Sequence, residues 1–245
     1  MGGKVIVPIL LLSERCYWFE FCVDFKRLND GDLGPNTGGM GCYTPVPWLP
    51  NNAREQVEEQ VVRPLLKELK KRDIDYCGCL YVGLMWSDDG FAVVEFNVRL
   101  GDPEAQVLAA HDDRDWLALM ANAMDIPVAE CVLAVATKPV SHTKKSVVIT
   151  MASVGYPYGG EEKAAATLSP DLFDLENLKA FAASVSTSNN EICTGKGRVL
   201  SVLGTGDTFS SARQKAYSTV EEISNSWTGA QWRKDIALRV SEEQL

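Results

Sequence analysis

Apolar runs alternate with polar breaks along this chain, and their spacing divides it into strands and helices. Residues 5–12 and 16–23 are dense in Val, Ile, Leu and aromatics and are split by Ser13, Glu14 and Arg15, which predicts two buried strands. From Asn29 to Pro50 the pattern stops. Gly31, Gly34, Gly38, Gly39, Gly41, Pro35, Pro45, Pro47 and Pro50 predict a long irregular loop, of the kind that usually serves function. Over 52–72, Val57, Val61, Val62, Leu65, Leu66 and Leu69 recur at three-to-four spacing and predict a helix. Asn52 and Glu55 are placed to cap it, and Pro64 to kink it. Residues 77–86 and 91–100 flank Ser87-Asp88-Asp89-Gly90 and predict a hairpin. Beyond it, Asp115 to Asp125 predicts a short helix, and 131–136, 146–153 and 192–203 predict strands. A last helix over 208–223 is expected to be capped by Asp207, with Ala212, Ala216, Val220 and Ile223 on its buried face.

The second hairpin strand carries the clearest chemistry. At a period of two, Ala92, Val94, Phe96, Val98 and Leu100 share an apolar face, and Phe91, Val93, Glu95, Asn97 and Arg99 share the other. Glu95, Asn97 and Arg99, at steps of ~7 Å, suit a magnesium–phosphate cluster, because Mg²⁺ takes oxygen ligands and Arg clamps phosphate. Alternation alone fits an ordinary solvated sheet face better, since such faces are common. The bend Leu100-Gly101-Asp102-Pro103-Glu104 adds two carboxylates directly after the strand. In the 34–41 loop, backbone N–H groups around Gly38 and Gly39 could converge on an anion, with donors from Asn36 and Thr37 and charge from Lys26 and Arg27. A tight structural loop needing positive φ is an even alternative.

Composition narrows the field without choosing within it. The 245 residues have a globular make-up, and a net charge of −9, from 33 acidic and 24 basic residues, leaves no general footprint for nucleic acid. Seven scattered cysteines do not make a disulfide framework, which fits a reduced, cytoplasmic protein. Cys77 and Cys79, on one strand face, are expected to be small buried hydrophobes, and with only His111 and His142 a zinc site is not expected. The run from Val5 to Leu12 is too short for a membrane span, which needs ~20 apolar residues, and Glu14 and Arg15 follow it where a signal peptide would place small residues. Position six is Ile6, not the Ser or Thr of a myristoylation signal.

Several blocks together resemble one family. Glu95-Phe-Asn-Val-Arg-Leu-Gly-Asp-Pro-Glu104-Ala-Gln106 is similar to the signature of glycinamide ribonucleotide synthetase, also called phosphoribosylamine–glycine ligase. Asp24-Phe-Lys-Arg27 through Gly31-Asp32-Leu-Gly34-Pro-Asn-Thr-Gly-Gly-Met-Gly41 resembles its glycine-rich loop, although Val23 and Phe25 replace more polar residues at the loop entry. Tyr81-Val-Gly-Leu-Met85, Ala152-Ser-Val-Gly155-Tyr-Pro157, Gly197-Arg-Val-Leu200 and Trp232-Arg-Lys-Asp-Ile236 follow in the family's order. The resemblance implies an α/β (α+β) chain: the C-terminal half of an ATP-grasp domain with an antiparallel sheet over 1–125, then a small α/β domain over 126–245. It implies an ATP-dependent ligase of purine biosynthesis that joins glycine to phosphoribosylamine through a glycyl phosphate. Glu95 and Asn97 would hold Mg²⁺ or Mn²⁺, Arg99 would neutralise the transferring phosphoryl group, and Asp102 would orient the amine of glycine. Lys26, Arg27, Asn36, Thr37, Gly38 and Gly39 would meet substrate or phosphate. The family's substrate domain and ATP lid have no counterpart before Gly3, so the expectation is a fragment or split subunit completed by another chain. A non-catalytic relative and a different ATP-grasp ligase are the alternatives. In a fragment, Tyr17, Trp18, Phe19 and Phe21 would form an exposed patch for a partner or for self-association.

Overall fold

The computed structural model describes residues 4–242 except 8, 13–15, 88, 139, 141–143, 160–164, 175, 177 and 189–190. The expected break at Ser13–Arg15, Asp88 of the hairpin turn and His142 therefore lie outside the described residues. Two compact units interleave along the chain. Met1–Phe21, Val46–Gly101 and Asp113–Val140 make one, and Cys22–Pro45, Asp102–Asp112 and Ser141–Leu245 make the other. A single cut after 125 does not reproduce this division. The physical reason is pairing between distant segments: Cys22–Asp24 pairs with Gly41–Thr44, which pairs with Lys145–Ser153.

The first unit is built on the strand Gly78–Ser87. Lys4–Val7 and Ile9–Leu12 both pair antiparallel with one of its edges, and Gly90–Asn97 pairs with the other edge. Leu80, Tyr81, Val82, Leu84 and Trp86 are buried in this sheet. The expected aromatic patch is not exposed. Trp18, Phe19 and Phe21 are buried, Trp18 beneath the Arg54 guanidinium and Phe19 edge-on to Trp116 at 4.7 Å. Tyr17 is half-buried, and its hydroxyl accepts a hydrogen bond from Asn122. Exposed apolar side chains do occur on the hairpin and just past it, at Val93, Val94, Phe96 and Val98.

The long helix is three pieces, Ala53–Val57, a wide π turn over Glu58–Val62, and Arg63–Lys71 with Pro64 in its first turn. Proline has no N–H to donate and its ring crowds the carbonyl four residues back, and the wide turn beside it makes room. Asn52 makes no cap hydrogen bond; its Oδ1 instead accepts from Gln56 Nε2 at 2.9 Å. The expected strand at 131–136 is the helix Glu130–Ala136. An apolar run of six cannot distinguish strand from helix by period, and its alanines and leucine favour helix. The helix Trp116–Ala123 starts as expected, with Asp115 Oδ1 accepting from the Ala118 N–H.

In the second unit the strands lie in the order Ala180–Ala182, Arg198–Gly206, Lys145–Ser153, Gly41–Thr44, Cys22–Asp24. The helix Phe209–Ser226 covers Arg198–Gly206 and Lys145–Ser153, with Ala212, Ala216, Val220 and Ile223 buried as the stripe predicts. Its cap is Thr208, not Asp207: the Thr208 hydroxyl accepts from the Ser211 N–H at 3.1 Å in a reciprocal capping box. The run 192–203 is two strands, Glu191–Thr194 and Arg198–Gly206, broken at the glycines. The breaker-rich stretch is not irregular either. It holds a ribbon of Arg27–Asn29 with Leu33–Asn36, then the fully buried strand Gly41–Thr44. Sheet pairing there overrides local propensity.

Candidate functional site

On the hairpin, the register settles which side chains share a face, since directly opposed residues project together. Asn97 lies opposite Tyr81 and Glu95 opposite Gly83, but Val93 lies opposite Leu84, so Val94 is an extra residue. That bulge ends the simple alternation. Phe91 and Val93 thus fall on the side of Trp86 and Leu84, away from Glu95, and Phe91 stacks on Trp86 at 4.9 Å. The expected apolar face is not a core face at all, because Val94, Phe96 and Val98 are exposed. Glu95 and Asn97 do remain side by side, Glu95 exposed and Asn97 half-exposed. A Cβ on Gly83 would stand 2.9 Å from the Glu95 Cγ, so the bare backbone there makes room for the acid. Arg99 lies beyond the strand, which stops at Asn97; it is exposed and its Nη1 donates to the Leu100 carbonyl at 2.9 Å.

The remaining expected site residues belong to the second unit. The loop N–H groups do not converge on open space. Thr37 N–H donates to Lys26 O at 2.8 Å, Gly38 N–H to the Tyr156 hydroxyl at 2.9 Å, Gly39 N–H to Thr37 Oγ1 at 3.0 Å and Met40 N–H to Phe25 O at 2.8 Å. The structural side of the loop reading accounts for these glycines. Gly39 has φ +122°, and a Cβ there would stand 2.7 Å from Pro103 Cδ and 2.9 Å from Asp24 Oδ1. Of the side-chain donors, Asn36 is exposed, while Arg27 Nη1 donates to Gly34 O at 2.9 Å. Lys26 Nζ meets Asp24 Oδ2 at 2.5 Å.

Asp24 and Glu104 form a buried acidic pair that the sequence pattern did not single out. They are 4% and 1% exposed. Burial holds the Asp24 carboxyl above the usual carboxylate range, against the opposing pull of the Lys26 ammonium. Glu104 sits in the first turn of the helix Glu104–His111, so its carboxylate is not presented to solvent as the bend suggested. Asp102 is, and it is 44% exposed. Its Oδ2 accepts from Arg198 Nη2 at 3.0 Å and its Oδ1 from Gln106 Nε2 at 2.9 Å.

The loop is braced from the end of the chain. Buried Arg233 grips both oxygens of Asp235 at 2.7 and 2.6 Å, meets Asp32 Oδ1 at 2.8 Å and lies over the Phe25 ring. Asp235 Oδ2 also accepts the Gly31 N–H at 2.8 Å, and Asp30 Oδ1 accepts the Lys234 N–H at 2.7 Å. Burial works against the charge on Asp235, but the Arg233 guanidinium more than offsets it and the carboxyl stays below its usual range. Tyr156, Arg198, Arg233 and Asp235 all lie in blocks that resemble the family, and that was their one signal in the sequence.

Among the described residues no group of three or more His, Cys, Asp or Glu side chains is placed to hold a metal. Glu95 and Asn97 supply two oxygen donors, which fits a cation that completes its shell with phosphate and water. Cys77 is exposed, not buried, and lies before the strand; Cys79 is half-buried, and burial pushes its thiol up to about 11. His111 is buried. No described helix is long and apolar enough to cross a membrane.

Residues 2–105 match the model of the phosphoribosylglycinamide synthetase ATP-grasp (A) domain, which makes this an ATP-grasp chain. Residues 146–239 match the C domain of the same synthetase. The chain belongs to the phosphoribosylglycinamide synthetase family. Phosphoribosylamine–glycine ligase of Rhodopirellula baltica is 39% identical over 96% of this chain and 52% of its own length. That of Corynebacterium ammoniagenes is 36% identical over 91% and 48%. The crystal structure of the Thermotoga maritima ligase superposes with a TM-score of 0.78 at 32% identity, over 97% of this chain and 56% of that one. Rhizobium etli pyruvate carboxylase, with a TM-score of 0.61 at 12% identity, covers 91% of this chain and 21% of its own, and shares the fold alone. The chain spans about half the length of the curated relatives it matches.

Proposed function

We propose that this chain supplies the metal-binding strand and C-terminal domain of an ATP-dependent ligase that joins glycine to phosphoribosylamine. The observation that carries the reading is the Glu95–Asn97 pair, two adjacent oxygen donors on one solvent-facing side of a strand inside a family-matched domain. These two side chains would hold Mg²⁺ or Mn²⁺, and the cation, when bound, neutralises the ATP phosphates. Arg99, exposed just past the strand, adds positive charge for the phosphoryl group in flight, where positioning and electrostatics supply most of the catalysis. In the first step a glycine carboxylate oxygen attacks the γ-phosphorus and ADP leaves. In the second, the phosphoribosylamine nitrogen attacks the glycyl carbonyl carbon, phosphate leaves and the nitrogen gives up a proton. Asp102, half-exposed and anchored through both oxygens, would accept from the ammonium group of glycine. Lys26, Arg27 and Asn36 border the glycine-rich loop and are the remaining candidates for phosphate or substrate contact. Thr37, Gly38 and Gly39 shape the loop, because their N–H groups are already bonded within the protein.

The test is a chimaera carrying the N-terminal half of the Rhodopirellula baltica ligase ahead of this chain. Sustained turnover, read as glycinamide product formed over many cycles, should require ATP, glycine and phosphoribosylamine together, and Glu95→Ala with Asn97→Ala should lower it by at least about a hundredfold, as for loss of a metal-centred charge clamp. A cooperatively folded chimaera with no turnover, or turnover indifferent to the double substitution, would overturn the reading.

A further inference from the structure

Arg198 opens the strand Arg198–Gly206 and reaches two segments far from it in sequence. Its Nη1 donates to Asp102 O at 2.6 Å and to Gly38 O at 2.9 Å, with Gly39 O at 3.4 Å. Its Nη2 donates to Asp102 Oδ2 at 3.0 Å. One planar guanidinium therefore ties the Gly38–Gly39 turn to both the backbone and the carboxylate of Asp102. Lysine has no such fork and could serve one acceptor well, not four. The turn is shaped to this guest: a Cβ on Gly38 would stand 2.8 Å from Arg198 Cζ. Tyr156 holds the same glycine from its other side, through its N–H. Gln106 takes the second oxygen of Asp102, so neither oxygen is left to swing. An ionised carboxylate offers about four lone-pair sites, and two of them are spoken for here. With the side chain 44% exposed, the others can receive a donor from solution.

We propose that Arg198 is a positioning residue, tying Asp102 to the Gly38–Gly39 turn so that the Asp102 carboxylate is a rigid receptor for the ammonium group of the amino-acid substrate. It acts through Asp102 and so rests on the ligase reading given above. Without the fork, Gln106 alone restrains the carboxylate and the turn loses an anchor, and the substrate amine is held in several orientations rather than one.

Two measurements separate this role from mere scaffolding. In the chain as it stands, amide hydrogen exchange at Gly38 and Gly39 should accelerate in Arg198→Ala and slow again when guanidinium ion is added. In the chimaera, KM for glycine should rise at least about tenfold in Arg198→Ala and in Arg198→Lys, the scale of one charge-assisted hydrogen bond. KM for ATP should stay within about twofold of the unsubstituted value, and guanidinium should restore the glycine KM of Arg198→Ala only. Unchanged amide exchange would show that Arg198 does not hold the turn. Faster exchange with an unchanged glycine KM would reduce it to a fold-stabilising contact. Either result overturns the proposal. An inactive but folded unsubstituted chimaera would instead sink the ligase reading, while the exchange result stood by itself.

Discussion

Arg233 shows how much one buried side chain can organise. It is 1% exposed, and Asp235, Asp32 and the Phe25 ring surround its charge, joining the chain terminus to the ribbon that leads into the glycine-rich loop. Asp235→Asn leaves that guanidinium short of an anion and should cost about 2–3 kcal/mol at neutral pH in urea unfolding, within the range for breaking a buried pair. The pH dependence follows from the depressed carboxyl. A group whose folded pKa lies below its unfolded one stabilises the fold above the unfolded value, and that gain is lost as pH falls through the folded value. The stability gap between the unsubstituted chain and Asp235→Asn should therefore be full at pH 7 and close as pH drops below about 4. None of this was legible from spacing, because Asp32 and Arg233 lie far apart in sequence and meet only in the folded chain. Glu95 and Asn97, two residues apart on a strand, were legible, because adjacency on one strand needs no tertiary information.

A strong period fixed the type of an element more reliably than its continuity: the periodic stretch 52–72 is helical but interrupted by a π turn. The stripe at Ala212, Ala216, Val220 and Ile223 is buried as spaced. The apolar run 131–136, too short to carry a period, folded as helix. The second hairpin strand shows a subtler failure: its alternation is real in sequence, but the bulge at Val94 moves Phe91 and Val93 to the opposite side from Glu95. A bulge depends on how the partner strand is paired, and no pattern within 91–100 encodes it. The cap of the last helix was misread by one residue for a similar reason, as Asp207 and Thr208 are both good caps and only the Ser211 hydroxyl decides between them. Thr208→Ala should lower stability by about 1 kcal/mol in thermal unfolding. Asp207→Ala should stay within about 0.5 kcal/mol, and the reverse order would return the cap to Asp207.

At the scale of the molecule, the aromatic cluster at 17–21 is buried, whereas the hairpin strand exposes Val93 at 41%, Val94 at 59% and Phe96 at 45%. A long apolar edge strand with one side unpaired among the described residues is a template for association. Sedimentation velocity of the chain should show concentration-dependent self-association, and Val94→Lys should suppress it; a monomer at all concentrations would remove the edge from consideration. The sequence by itself determined the family, through ordered motif blocks, and the adjacency of Glu95 and Asn97, through the two-residue period of a strand. It also determined the buried stripe of the last helix. Only the tertiary structure decided that the units interleave, that the aromatic cluster is buried, that the loop N–H groups are occupied, and that Arg198 and Arg233 hold the loop. Local periodicity is written in neighbouring residues, whereas burial and ion pairing depend on segments that meet only after the chain has folded.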